Sequence, residues 1–503
     1  MMPPLIHALL YHPGCFDHAV EKLRLVETHI SWVILTGAYA YKIKKPVNLG
    51  FLDFSTLKKR HSDCVEELRL NRRLAAEYYL DVVPITGSLD APRINGSGNA
   101  IEYAVKMREF PADATLDLLA GRGELHAMHI DALALRLAHF HLHECEVAAP
   151  GSPWGEPEAI AKPVMENFRM LVLEDPSERR SLANLQDWTV AEHARLAPLM
   201  RERRVRECHG DLHLANVAWA DGKPVIFDCL EFDPLLRWID VISEVAFCHM
   251  DLLHRDKAQL GWRFLNAWLS ATGDYQGLAL LRYYFVYRAL VRAKVAGLRA
   301  AQQTDEISMR AAQRERSDCL KLAIRFTEKR PPVLWITHGL SGSGKTTLTQ
   351  ALLEEHGMIR LRSDVERKRA AGLEASMHGD EKLYASQVSR STYKHLAELA
   401  EGLLGAGWPV IVDAAFLERG QRELFRNLAK QQGAEFRILD IRVDPEVLRA
   451  RVQQRQTKGK DASDADIAVL ERQLQSAQPL EIDELIDTMP QISPLIVETR
   501  RET

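Results

Sequence analysis

The segment Gly339-Leu340-Ser341-Gly342-Ser343-Gly344-Lys345-Thr346 has the spacing G-x-x-x-x-G-K-T, and His209-Gly210-Asp211 with Asn216 has the spacing H-G-D-x-x-x-x-N. Both patterns suit the triphosphate of a nucleotide. Glycines at 339, 342 and 344 let successive backbone N–H groups face one concavity at a helix N-terminus, where the helix dipole favours an anion. Lys345 would reach the β- and γ-phosphates, the Thr346 hydroxyl would ligate Mg²⁺, and Thr347, one residue on, is less constrained.

The second set reads as a site for phosphoryl transfer, which needs a carboxylate beside the acceptor hydroxyl and further oxygens for Mg²⁺. Asp211 suits the first role. Asn216 suits the second, as does Asp228, which closes the apolar run Val225-Ile226-Phe227 behind an Asp221-Gly222 hairpin turn. His209 is expected to brace the loop. Upstream, Lys42 and Lys44 share one strand face by the two-residue period, and Lys42 is preferred for nucleotide binding. Its carboxylate partner is expected on the next helix, at Glu67 before Glu66, although exposed lysine and glutamate are also common.

Three further groups belong with the glycine loop. Asp364 follows a short strand, where strand ends of an open parallel sheet face the ligand crevice, and is a candidate base; a helix N-cap is the alternative. Asp413 ends Val410-Ile411-Val412 and could hold the metal through water, or be an ordinary loop carboxylate. Arg449, Arg451 and Arg455 occupy a helix on which 451 and 455 share a face. They suit either a basic lid over transferring phosphate or a solvated surface.

These residues need strands and helices to hold them. Runs at Trp32–Thr36, Ala40–Ile43 and Ile101–Met107 read as strands around a helix at Thr56–Glu77, and residues 111–325 read mostly as helix. A sheet-rich lobe to about residue 110 thus precedes a helical lobe. Pro331-Pro332 ends that region. Beyond it, strands expected at Val333–Thr337, Ile359–Leu361, Pro409–Val412 and Phe436–Ile441 alternate with helices, which implies a parallel sheet covered on both faces over 331–503.

At 503 residues, 46% apolar and 27% charged, the chain can fill more than one core. A net charge of -4 gives no overall attraction to nucleic acid or anionic lipid. Seven scattered cysteines without a C-x-x-C pair fit reduced thiols in a cytoplasm. Neither a secretory leader nor an apolar stretch of about 20 residues is expected. His139, His141 and His143 invite a metal reading, but no third ligand at suitable spacing is visible, so helix packing is expected. The Arg201–Arg206 run lacks interleaved aromatics and reads as a solvated helix end.

The His209–Asn216 segment and Ile226-Phe227-Asp228 resemble the aminoglycoside phosphotransferase family, over roughly residues 20–300. Ala40-Tyr41-Lys42 resembles the strand that presents that family's ATP-binding lysine. No G-x-G-x-x-G precedes Lys42, and Cys229-Leu230 follows Asp228 where protein kinases have Phe-Gly. From about 333 to 500 the chain resembles the P-loop kinases related to polynucleotide kinase and zeta-toxin proteins. That resemblance implies Asp364 as general base and Arg451 and Arg455 as lid residues on the transferring phosphate. Together the resemblances imply an α/β and α+β fusion: a bilobal kinase-like domain at 1–328 (lobes 1–110 and 111–328), then a P-loop domain at 331–503. They imply ATP and Mg²⁺ as cofactors and a hydroxyl-bearing small molecule as acceptor. Two rival expectations are a non-catalytic nucleotide sensor in one half and a nucleic-acid 5'-hydroxyl kinase.

Overall fold

The computed structural model describes residues 2–48, 52–373, 386–458 and 465–489. By compactness the chain divides into two units. One comprises Met1–Ala132, His139–Glu166 and Ala197–Asp251, and the other Leu133–Ala138, Asn167–Leu196 and Leu252–Thr503.

The first unit is built on a six-stranded antiparallel sheet. Its strands are β1 (Arg24–Glu27), β2 (Ser31–Leu35), β3 (Tyr39–Lys44), β4 (Tyr79–Gly87), β5 (Pro92–Ile94) and β6 (Glu102–Arg108), in the order β1-β2-β3-β6-β4-β5. β3 lies inside the sheet, with Lys42 opposite Val33 on one side and Val105 on the other. Helix α1 (Leu57–Ala75) follows, its start capped by the Thr56 side chain accepting from the Lys59 N–H. Cys64, Leu68 and Ala75 of α1 pack with Val105 of β6 and with Ala218 and Val225. The last two residues belong to the hairpin β7 (Val217–Ala220) and β8 (Lys223–Ile226). Asp221 and Gly222 connect them with φ of 52° and 74°, the left-handed pair that a two-residue turn between right-twisting strands requires.

Helix α2 (Val241–His254) runs from the end of the first unit into the second. In the second unit, α3 (Ala258–Thr272), α4 (Leu278–Gln302) and α5 (Glu306–Thr327) precede strand β9 (Val333–His338). Strands β10 (Ile359–Arg362), β11 (Val410–Asp413) and β12 (Glu435–Asp440) complete a parallel sheet in the order β10-β11-β9-β12.

The α3 and α4 helices are fastened to this sheet's edge. Asn266 on α3 accepts from the Arg360 N–H at 2.7 Å and donates to the Met358 carbonyl at 2.9 Å, so one side-chain amide satisfies two polar groups beside edge strand β10. Trp408 donates to the Leu278 carbonyl at 2.9 Å, and the Arg282 guanidinium lies 4.2 Å from the Trp408 ring centre. Arg282 also donates to the carbonyls of Phe326, Glu328 and Gly407. The chain just before the two prolines is therefore held by α4, and the Pro332 carbonyl accepts from the Glu435 N–H at 2.9 Å. Among the described residues no helix is long and apolar enough to cross a membrane.

Candidate functional sites

Helix α1 presents Glu67 to β3 at a fully buried position. One carboxylate oxygen lies 2.8 Å from the Lys42 ammonium, and the other accepts from Lys44 at 2.8 Å. Lys42 reaches Asp228 at 2.5 Å, and Lys44 also pairs with Glu231. Glu66 turns away to Arg69 and Arg237. Burial, the largest influence on Lys42, lowers its pKa, but Asp228, Glu67 and Glu231 more than reverse that and hold it well above normal. Both lysines stay charged. Glu67 is held below the usual carboxylate range by the two lysines against its burial.

The catalytic-loop candidates converge on the same region. Asn216 donates its amide to the Asp211 carbonyl at 3.0 Å and to the Asp211 carboxylate at 3.3 Å. The Phe227 N–H donates to the Asn216 carbonyl, so the hairpin brings 216 and the chain before Asp228 side by side. Asp228 has a φ of 65°, uncommon for a residue with a side chain, and its carboxylate is 44% exposed while the lysine beside it is buried. The chain there is bent so that a carboxylate faces out beside a buried cation.

His209 explains how the bend is held. Its Nδ1 accepts from the Asp211 N–H at 3.2 Å, which leaves Nε2–H to donate to the Phe227 carbonyl at 2.8 Å. Burial lowers its pKa, in keeping with the neutral ring that this pairing needs. Gly210 has a φ of 90°, and a Cβ there would lie 2.9 Å from the Leu236 carbonyl oxygen. The Glu244 carboxylate accepts from the N–H groups of His209 and Gly210 at 2.6 and 2.9 Å, and from His141 at 2.7 Å.

His141, Cys208 and Glu244 offer ligand-type atoms within 4.8 Å of one another. The partners that sequence spacing could not supply for His141 thus come from distant segments. Glu244 already spends both oxygens on the loop and the imidazole, and with His141 it forms a hydrogen-bonded brace for the loop that carries Asp211, while the Cys208 thiol turns to the Ile239 carbonyl. The His139 and His143 rings lie 4.8 Å apart between centres, tilted by 46°, and both residues are exposed, so packing into the core holds for His141 alone. All seven cysteines are free thiols.

In the second unit, the loop of Gly339, Leu340, Ser341, Gly342, Ser343 and Gly344 leads from β9 into helix α6 (Lys345–His356), with the first-turn N–H groups directed out of the helix start. Gly342 and Gly344 have φ of 82° and 94°, which a residue with a Cβ rarely adopts. Lys345 folds over the loop, donating to the carbonyls of Gly339 and Leu340 at 3.0 and 2.8 Å. Desolvation lowers its pKa against the pull of Asp413 and Asp364, which places both carboxylates in its field. The Thr346 hydroxyl donates to Asp413 at 2.8 Å; Thr347 is exposed on the same turn.

Asp364 sits in the first turn of α7 (Ser363–Ala370), behind an N-cap at Arg362, so it is not itself the cap. Its carboxylate lies 3.5 Å from the Arg367 guanidinium. On α8 (Pro445–Lys458), Arg451 lies 3.5 Å from the Gly342 carbonyl and Arg455 donates to the Ala465 carbonyl, whereas Arg449 turns to Glu446 and Glu471. The two arginines that share a face therefore differ from Arg449 in direction.

Both donor sets fit Mg²⁺, a hard cation that takes oxygen ligands. Thr346 and Asp413 place a hydroxyl and a buried carboxylate together at the loop. Asn216 spends its amide nitrogen on Asp211, so its carbonyl oxygen is the ligand it offers beside Asp228.

Comparison with known proteins decides the family. Residues 61–281 match the family model described as "Phosphotransferase enzyme family", and residues 334–480 match one described as "AAA domain". Uncharacterized proteins of Mycobacterium tuberculosis and Mycobacterium bovis are each 30% identical to the chain over 440 residues, covering 84% of it and 86% of their own length. The chain belongs to that family. In this chain an aminoglycoside-phosphotransferase-type domain is joined to a P-loop domain, and the chain is a phosphotransferase of small-molecule kinase type. Solved structures similar in fold include aminoglycoside 2'-phosphotransferase-IIIa in its GDP complex, at 16% identity, with 62% of this chain and 94% of that one covered and a TM-score of 0.38. A gluconokinase from Sinorhizobium meliloti matches at 19% identity, with 34% and 90% covered and a TM-score of 0.25.

Proposed function

We propose that the protein is a cytoplasmic, ATP-dependent phosphotransferase with two nucleotide-binding modules, at 1–328 and 331–503, although α3 and α4 are fastened to the edge of the P-loop sheet. Each module moves the γ-phosphoryl group of ATP to a hydroxyl of a small molecule: a sugar, an aminoglycoside-like compound or a nucleoside. The observation that carries the reading is the buried Lys42 ammonium joined to both Glu67 and the outward-facing Asp228, with Asp211 and Asn216 beside the same hairpin.

In the N-terminal module Lys42 holds phosphate oxygens of ATP, oriented by Glu67. Asp211 accepts the proton of the acceptor hydroxyl as its oxygen bonds to the γ-phosphorus and the bond to ADP breaks. In the P-loop module the loop N–H groups and Lys345 hold the phosphates, Asp364 takes the acceptor proton, and Arg451 and Arg455 neutralise the transferring group. Mg²⁺, held by Asn216 and Asp228 in one module and by Thr346 and Asp413 in the other, would supply neutralisation of phosphate charge.

Labelled ATP incubated with sugars, aminoglycosides, nucleosides and a 5'-hydroxyl oligonucleotide tests the reading. Transfer to a small-molecule hydroxyl that falls in Asp211→Asn or Asp364→Asn is expected. Label only on the oligonucleotide, or turnover indifferent to both substitutions, would refute it.

A further inference from the structure

Lys44 is completely buried, yet it is a second cation on the carboxylate that orients the nucleotide-binding lysine. Two residues after Lys42 on β3, it faces the same side of the sheet. The two lysines differ in what lies beyond them. Lys42 is 10% exposed and continues to the half-exposed Asp228, whereas Lys44 is 0% exposed and ends on Glu231, which is 4% exposed. Lys44 also lies 4.8 Å from the centre of the Phe54 ring, which closes that side with an aromatic wall. No phosphate can reach it without dismantling the core.

Glu231 lies three residues beyond Asp228 on the same turn, and Arg237 donates to the Glu231 carbonyl at 2.8 Å. Lys44 therefore joins three pieces at one atom: strand β3, helix α1 through Glu67, and the loop that carries Asp228. Glu67 is shared, with one oxygen on each lysine. That sharing fixes the carboxylate's rotation. Without Lys44, both oxygens of Glu67 could turn onto Lys42, withdrawing the ammonium from phosphate, and the Asp228 loop would lose its tether to β3.

We infer that Lys44, with Glu231, is a positioning pair for the N-terminal nucleotide site, holding Glu67 and the Asp228 loop in register with Lys42. The inference rests on the reading that Lys42 contacts Mg·ATP. A lone Lys44→Met leaves Glu231 and half of Glu67 as buried anions without a partner, so folding itself could fail. Lys44→Met/Glu231→Gln removes both members of the outer pair.

The test measures Mg·ATP affinity in the full chain carrying Lys345→Ala, so that the N-terminal site alone is read, with thermal melting of each variant alongside. Lys42→Met should weaken binding by about a hundredfold and the Lys44→Met/Glu231→Gln variant by about tenfold, with the latter melting close to the parent. Glu231→Gln alone keeps Lys44 on Glu67 but loosens the Asp228 loop, and should weaken binding by about threefold. If Lys42→Met binds normally, the site reading fails. If Lys42→Met weakens binding while the double variant binds like the parent, the positioning role is overturned. Should the double variant not fold, Glu231→Gln decides: a loss of about threefold or more with melting close to the parent supports the pair, and parental affinity overturns it.

Discussion

The two candidate centres hold phosphate-binding groups by opposite means. In the P-loop module the cradle is contiguous: eight successive residues make the concavity, and Lys345 is fastened to carbonyls five and six positions away. In the N-terminal module the charge is dispersed. Lys42 meets a glutamate 25 residues on and an aspartate 186 residues on, and the loop bearing Asp211 hangs from Glu244. A contiguous cradle depends on backbone conformation and tolerates change elsewhere. A dispersed one depends on buried ion pairs, so substitutions far from phosphate should reach it.

The largest effect that sharpens this contrast is on turnover. Asp211→Asn should lower N-terminal transfer about 10²- to 10⁴-fold with ATP affinity little changed, read by single-turnover kinetics in a Lys345→Ala background. Next come substitutions at the backbone. Gly210→Ala must take a left-handed φ and press on the Leu236 carbonyl, and should cost about 2–3 kcal/mol by urea unfolding. Gly344→Ala has the same strained φ but open space, and should cost about 1 kcal/mol while blunting the loop's nucleotide affinity.

Asn266→Ala would leave the Arg360 N–H and Met358 carbonyl without their side-chain partner and should destabilise the second unit by about 2 kcal/mol. In the same sense, a fragment starting at 252 should melt higher than one starting at 331. Equal melting would show that α3 to α5 are dispensable to the P-loop sheet.

The pH response should be smaller and confined to the dispersed centre. Burial depresses the folded pKa of His209, so its neutral form stabilises the fold fully above about pH 6.5. That contribution is lost as pH falls from there through the folded value, at no more than about 1.4 kcal/mol per pH unit. Glu244, also depressed, loses its contribution only at still lower pH, below the ordinary carboxylate range. Unfolding curves between pH 7 and 5 should show this slope, and His209→Asn should reduce it, leaving the part due to His129, which burial depresses in the same direction. Smallest of all, Arg449→Ala should leave turnover within about twofold, because that side chain pairs with exposed Glu446 and Glu471.

The same contrast explains what could be read from sequence. The glycine loop, its flanking strand and helix, and the Asp221-Gly222 hairpin are local, and each forms where its residue pattern predicts. Strand β4 escaped notice because Pro84 interrupts its apolar run and a register shift between Tyr79 and Asp81 breaks its alternation. Edge strands β1 and β5 are four and three residues long, too short to show a period. Lys42 and Glu67 were legible as a strand lysine and a helix glutamate. The second half of that pair, Lys44 with Glu231, was not, because nothing local links residues 187 positions apart. The Glu244 brace and the Asn266 clamp were hidden for the same reason. The double proline marked only the end of the helical region; that Arg282 holds the chain before it and the Glu435 N–H donates to the Pro332 carbonyl could not be read locally.

The claim on which the account turns is that one chain forms two separate sites for magnesium-bound ATP. Isothermal titration of the full chain with a non-hydrolysable ATP analogue and Mg²⁺ tests it most directly. Two molecules should bind per chain, falling to one in Lys345→Ala and to one in Lys42→Met. A single molecule bound by the unsubstituted chain, lost altogether in either variant, would contradict it.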